Sequence, residues 1–308
     1  MELKILFGPT ATSKTKIAQA LWEKTHYPIL SVDSRKVYKG ADIGTNKLSL
    51  LTFWKAHPEV LIGGIDFLEP SQEVSVYIYQ QQVYNWLTTN RTEIEKAGGI
   101  ILHGGTGLYL DAILEGKSLL SSRNQILREE LAGMTVEQLQ QRAGQEVPKS
   151  YGLLNDSDRR NPRRLVRVIE NKALKHQSTK ALRQESINAL KHEGFAVEVF
   201  KSAKKDWRVN IPPRAELYGI INKRVYTYLE EGWLAEVANL LKRFGPEAPV
   251  LRMMGYRKVV AFMQNNEHWQ QLAVDNAPKF QAMIAEIQQE HRRYAKRQET
   301  WAKKYRQP

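Results

Sequence analysis

Gly8-Pro-Thr-Ala-Thr-Ser-Lys-Thr15 follows the apolar run Leu3-Lys-Ile-Leu-Phe7 and precedes Lys16-Ile-Ala-Gln-Ala-Leu-Trp22, whose apolar residues recur at helical spacing. Strand, tight loop and helix in that order are the setting of a phosphate-binding loop, G-x-x-x-x-G-K-[ST], from which the stretch departs at one position. In such a setting backbone N–H groups and a helix N-terminus converge on a phosphate, and Lys14 adds a point charge. The pattern sets the Thr15 hydroxyl on a magnesium ion that bridges phosphate oxygens. The departure is Ser13, where the pattern has glycine; a side chain there crowds the backbone's approach to the phosphate. The plainer alternative is an ordinary strand–turn–helix with a lysine at the helix start.

Working outward, strand-like runs at Lys4–Phe7, Ile29–Val32, Val60–Ile65 and Gly99–His103 alternate with helical patterns at Lys14–Glu23 and Val76–Thr88. That alternation predicts a parallel sheet flanked by helices, with ligands at the carboxyl ends of the strands. Three of those ends carry useful groups: Thr10 to Thr15, Asp33-Ser34, and Gly104-Gly-Thr-Gly107. From about Ser118 to Gly194 the pattern is helical and charged, and Asp156-Ser-Asp marks a helix start. Phe195-Ala-Val-Glu-Val-Phe200 alternates like a strand returning to the sheet. Residues from Arg214 onward are helical apart from a break at Phe244–Pro249. The expected fold is α/β, a P-loop NTPase-like parallel sheet flanked by helices, with a helical insertion and a helical C-terminal part. The core takes residues 1–117 and 195–308, and the insertion takes 118–194.

The 308 residues are 42% hydrophobic and 26% charged, as in soluble globular proteins, and no apolar run is long enough to span a membrane. Without cysteine there are no disulfides and no cysteine-ligated zinc, which suits a cytoplasmic protein. A net charge of +13 points to a polyanionic partner. Two clusters concentrate it. His291 to Arg306 carries seven Lys/Arg against one Glu, interleaved with Tyr294, Trp301 and Tyr305, and Arg159 to Arg167 holds five arginines in nine residues. Arginine beside aromatics suits RNA, with guanidinium groups on phosphates and rings stacked on bases; the alternative is a solvated helix face.

Asp33, at the end of the second predicted strand, is the candidate acid–base residue, since a carboxylate beside a phosphate loop can accept a proton or hold a hydrated metal. The Gly104–Gly107 turn lets the backbone approach a ligand, with Thr106 as a hydrogen-bond donor. Asp42-Ile-Gly-Thr-Asn-Lys47 reads as a structured loop. The seven histidines lack metal-ligand spacing, and no Ser/His/Asp arrangement supports hydrolase chemistry.

In order and in register these segments resemble the tRNA dimethylallyltransferase family, of bacterial type, from Phe7 to the C-terminus. The resemblance rests on residues 8–15, Asp-Ser-Arg-Lys-Val-Tyr at 33–38, Asp-Ile-Gly-Thr at 42–45 and Asp66 to Pro70. It continues through Gly-Gly-Thr-Gly-Leu-Tyr at 104–109, Asp-Arg-Arg-Asn-Pro-Arg-Arg-Leu-Val-Arg at 158–167, Leu217-Tyr218 through Arg224, Gly-Tyr-Arg at 255–257, and Arg-Arg-Tyr-Ala-Lys-Arg-Gln at 292–298 with Thr300-Trp301. It implies transfer of a dimethylallyl group from dimethylallyl diphosphate, with Mg2+, to N6 of the adenosine 3′ of the anticodon, flipped out of the tRNA loop. Asp33 then corresponds to the general base, with Thr10, Lys14 and Thr106 in the catalytic set. Gly8, Pro9, Thr10, Ala11, Thr12, Ser13, Lys14, Thr15 and Arg224 correspond to the diphosphate site, and Thr15 to the metal ligand. Asp33, Ser34, Arg35, Lys36, Thr106 and Arg128 fall where the tRNA is contacted, and Arg160, Asn161, Pro162, Arg163, Arg164 and Arg167 where the insertion grips the anticodon stem. The chain departs from the family pattern at Ser13 (glycine), Lys36 (glutamine), Gly63 (histidine), Ile220 (arginine) and His291 (threonine). Ser13 and Ile220 touch the expected diphosphate side, and Lys36 the RNA side. A monomeric enzyme is expected; the alternatives are a non-catalytic tRNA-binding paralogue and a P-loop small-molecule kinase.

Overall fold

The computed structural model describes residues 1–115, 124–176 and 194–305; the insertion's two end segments and Arg306 lie outside them. Two compact units emerge, one of Met1–Lys117 with Phe195–Pro308 and one of Ser118–Gly194.

The larger unit is built on five parallel strands, β1 (Glu2–Phe7), β2 (Ile29–Val32), β3 (Ile62–Gly63), β4 (Gly99–Gly104) and β5 (Lys204–Val209), in the order β3-β2-β4-β1-β5. Period-two alternation fills both faces, as a parallel sheet covered by helices requires. Leu3, Ile5, Phe7, Leu30, Val32, Ile100 and Leu102 enter the main core, while Leu6, Ile29, Ile62 and Ile101 enter a second core beneath Trp22 and Leu50. The helices of the first half are α1 (Lys14–Thr25), α2 (Leu48–Ala56), α3 (Val76–Thr89), α4 (Arg91–Ala97) and α5 (Gly107–Glu115).

The smaller unit is helical in its described residues: α6 (Gln125–Ala132), α7 (Val136–Glu146), α8 (Pro148–Gly152), α9 (Asp156–Arg159) and α10 (Pro162–His176). Its own core joins Leu131, Leu139, Ala143, Leu165 and Ile169. The expected helix start near Asp156 is real, but the cap is Asn155, whose side chain accepts the Asp158 N–H at 2.9 Å.

One element differs in kind from expectation. Residues 194–202 form a helix, α11, where the alternation predicts a strand at Phe195–Phe200. The buried positions are Ala196, Val199, Phe200 and Ala203, which is helical spacing, so the six-residue alternation is incidental. The returning strand is the next segment, β5, paired only with β1 at the sheet edge. The remaining helices are α12 (Arg214–Glu230), α13 (Trp233–Phe244), α14 (Tyr256–Gln264), α15 (Trp269–Val274) and the long α16 (Pro278–Ala302). The expected break after Phe244 is present; further breaks fall at Gly232 and Gly255, both at positive φ. Among the described residues no helix is long and apolar enough to cross a membrane.

Candidate active site

The carboxyl ends of β1, β2 and β4 open into a cleft of about 240 Å³ in the larger unit, lined by Thr10 to Lys16, Asp33, Arg35, Lys36, His103 to Gly105, Arg224 and Gln298 among others. Its floor is the loop between β1 and α1. Helix α1 begins with no side-chain cap and no acidic residue in its first turn, so its N-terminal N–H groups and positive dipole end remain available to an anion. Ala11 and Ser13 both adopt left-handed backbone, at φ 68° and 55°. This is why the pattern has glycine at position 13: the turn itself requires positive φ, which a side chain disfavours.

Lys14 folds back on its own loop, donating to Pro9 O and, at 3.0 Å, to Thr12 Oγ1. Burial, and then the neighbouring Arg224, push its pKa down to about 7. An anion arriving beside it draws the proton back, so anion binding here is linked to proton uptake. Arg224 reaches in from α12 to Thr10 Oγ1 at 3.3 Å. The Thr10 N–H is held by Gln298 Oε1 at 2.8 Å, and the same side chain donates to Gly105 O at 2.9 Å. Gln298 was not among the expected site residues. It lies inside the basic run and closes the 292–298 motif, but nothing local to it points to the phosphate loop.

Asp33 stands at the end of β2, its side chain 15% exposed, with Oδ1 accepting the Arg35 N–H at 2.9 Å. The Arg35 guanidinium lies 3.8 Å from the same oxygen and 5.1 Å from the centre of the Tyr294 ring. Arg35 therefore lines the cleft and is committed to Asp33 and Tyr294. Thr106 lies just outside the cleft lining; its Oγ1 accepts the Ser34 N–H at 3.2 Å and bonds the Tyr294 side chain. Gly8, Pro9 and Ser34 likewise support the cleft without lining it.

Lys36, expected on the RNA side, is 5% exposed and directs its ammonium to Thr15 Oγ1 at 3.5 Å. Burial lowers its pKa to about 8 against the opposing pull of Asp33. His103 is buried beside it with Nε2 unpaired, held well below the usual histidine range by burial and by Lys36 and Lys14. Among the described residues no group of three or more His, Asp or Glu could hold a metal.

The loop Asp42–Lys47 is ordered by contacts from elsewhere in the chain, and its Thr45 and Asn46 also line the cleft. Glu236 accepts the N–H groups of Asp42 and Ile43 at 2.7 and 2.8 Å, and fully buried Lys47 is paired with Asp42 and Asp66.

The comparisons with known proteins agree with one another. A model of the IPP transferase family matches residues 36–305. The chain belongs to the IPP transferase family. A tRNA dimethylallyltransferase from Acaryochloris marina is 31% identical over 300 residues, covering 97% of this chain and 88% of that protein. Another, from Bacillus velezensis, is 31% identical over 309 residues, covering 96% and 86%. The crystal structure of the tRNA isopentenylpyrophosphate transferase from Bacillus halodurans shares 26% identity and a TM-score of 0.60, over 97% of this chain and 86% of that one. A eukaryotic dimethylallyltransferase acting on tRNA, at 18% identity and a TM-score of 0.72 over 98% of this chain and 70% of that one, shares the fold.

Three departures of this chain from the family pattern can be placed in the structure, and that at Gly63 has a local explanation. At Gly63 a Cβ would lie 2.6 Å from the Trp86 ring, so the indole occupies the space a histidine would need. Ile220 is 39% exposed on α12 and outside the cleft, whereas Arg224, one turn later, enters it. His291 is buried, its pKa pushed down to about 3 by burial and by Arg35 and Arg224.

The expected RNA-facing residues divide. In the smaller unit, Arg160, Asn161, Pro162 and Arg163 are exposed around the start of α10, and Arg164 is exposed but paired with Asp158. Arg128 and Arg167 instead converge on Glu170, which is fully buried. In the larger unit Tyr305 is not free to stack on a base. It stacks on Trp207 at 4.5 Å and meets Phe7 edge-on, and Trp301 packs across Gly107.

Proposed function

We propose that this protein transfers a dimethylallyl group from dimethylallyl diphosphate to N6 of the adenosine 3′ of the anticodon in tRNA, releasing diphosphate. The observation that carries this reading is that an anion cradle and a positioned carboxylate, Lys14 and Asp33, line the same cleft. The names of the relatives, tRNA dimethylallyltransferases, support the donor and the acceptor.

The diphosphate sits on the first-turn N–H groups of α1, with Lys14 and Arg224 on its oxygens and Thr10 and Gln298 holding the loop in shape. The flipped adenine enters from the Asp33 side, as chemistry on a stacked base requires. N6 attacks the allylic C1, the C1–O bond breaks, and Asp33 takes the N6 proton. Lys14, Arg224 and the loop N–H groups stabilise the charge that develops on the leaving diphosphate. Arg35, paired with Asp33 and stacked on Tyr294, fixes the carboxylate for that proton transfer.

Magnesium, the cofactor expected with the family, would meet one protein oxygen at this loop, Thr15 Oγ1. The Lys36 ammonium lies 3.5 Å from that oxygen, so the donor set does not fit a resident metal. In the smaller unit the exposed Arg160–Arg164 segment supplies the anticodon-stem contact. We read the protein as a monomer, and a tRNA substrate supports a cytoplasmic location.

The test is transfer of label from radiolabelled dimethylallyl diphosphate, with magnesium present, to unmodified tRNA. Label recovered in the adenosine 3′ of the anticodon is the expected result. Tight tRNA binding without label would instead favour a non-catalytic RNA-binding protein.

A further inference from the structure

Three cations of the cleft are left after Asp33 is matched with Arg35: Lys14, Lys36 and Arg224, while Lys16, at the rim, is exposed. These balance the roughly three negative charges of an ionised diphosphate ester without a further cation. Lys36 is the unusual member. It is 5% exposed, and its ammonium lies 3.5 Å from Thr15 Oγ1, the oxygen a phosphate-loop metal would use. A metal on that oxygen would stand within about 6 Å of the ammonium, and the two would repel in a poorly solvated site. Magnesium also prefers a shell of six oxygens, and the carboxylate that lines the cleft, Asp33, accepts the Arg35 N–H and faces its guanidinium at 3.8 Å.

We propose that the Lys36 ammonium takes the place of a divalent cation beside Thr15, so that this chain binds diphosphate without magnesium. The inference rests on the proposed use of the cleft for a diphosphate. It concerns only how the charge of that group is met. The family pattern has glutamine at this position, which brings no charge, so metal independence is a property of this chain and not of the fold.

The experiment is calorimetric titration of inorganic diphosphate into the full chain, in EDTA and in excess magnesium. For the unaltered protein the two dissociation constants should differ by less than about fivefold, below the usual range of coupling between two ligands. Lys36→Gln should bind about tenfold or more weakly in EDTA and recover in magnesium, because a lost charge-assisted contact is of that size. Lys36→Arg, which keeps the charge, should resemble the unaltered protein in EDTA and guards against a folding defect in the glutamine variant.

An unaltered protein that weakens fivefold or more in EDTA overturns the proposal, as does a Lys36→Gln variant that binds equally well in EDTA. In either case label transfer to tRNA would leave the proposed function standing. Absence of diphosphate binding in both buffers would overturn the use of the cleft itself, and this inference with it.

Discussion

Thr10 and Gln298, 288 residues apart in sequence, are joined by a 2.8 Å hydrogen bond from the Thr10 N–H to the Gln298 carboxamide oxygen. The amide's other end donates to Gly105 O, so one side chain of α16 holds the phosphate loop against the glycine-rich turn after β4. The cleft therefore depends on the last long helix as much as on the first.

Gln298→Ala leaves a half-buried donor and a buried acceptor without partners, which should cost about 2–4 kcal/mol of stability. It should also loosen the Thr10 backbone and weaken diphosphate binding about tenfold. Thermal unfolding and calorimetry measure the two effects. Unchanged melting and unchanged affinity together would show that the bridge is incidental.

Glu170 makes the stability of the smaller unit depend on pH. Burial by itself raises its pKa, but Arg128, Arg167 and the Asn124 N–H, at 2.7–2.9 Å, together hold it down to about 2. A carboxylate depressed in the folded state stabilises it at pH values above its unfolded pKa of about 4.5. That contribution, about 3 kcal/mol, is lost as pH falls from about 4.5 through about 2. Hydrogen-exchange protection of residues 124–176 should be level above pH 5 and fall below it. Glu170→Gln should be less protected at neutral pH and should lack this acid-dependent part of the fall. An identical pH profile in the two proteins would contradict the assignment.

The arginines of the smaller unit should separate into two classes. Arg160→Ala and Arg163→Ala should each reduce the slope of log K for tRNA against log salt by about 1, with melting unchanged. Arg128→Ala should instead destabilise the unit by about 3 kcal/mol, because it removes a bidentate partner from a buried carboxylate. Salt-dependent binding and denaturation of the same variants distinguish the classes. Loss of tRNA affinity without loss of stability in the Arg128 variant would reverse its role.

Much of this was legible because it is local. The run from Leu3 through the loop to Trp22 carries strand, loop and helix in consecutive residues, and Asp33 follows its strand directly. What escaped depends on partners far along the chain. Lys36 looks like a base-reading residue until folding turns it inward to Thr15, and Gln298 looks like one polar residue in a basic helix. Arg128 finds Glu170 only through tertiary packing, 42 residues along the chain, whereas Arg167 meets the same carboxylate one helical turn away. Tyr305 looked available to a base, yet Trp207 occupies its face. The α11 segment reads as a strand because six apolar-rich residues satisfy both periods, and only the burial of Ala196, Val199 and Phe200 together decides for the helix.

The most direct test of the catalytic account is single-turnover prenyl transfer by Asp33→Asn, with tRNA binding and melting measured on the same protein. Asparagine keeps the shape and the acceptor for the Arg35 N–H but removes the proton acceptor for N6. The account predicts a transfer rate lower by about 10²–10⁴-fold with fold and tRNA affinity intact. Transfer at the unaltered rate would contradict it and remove Asp33 from the chemistry.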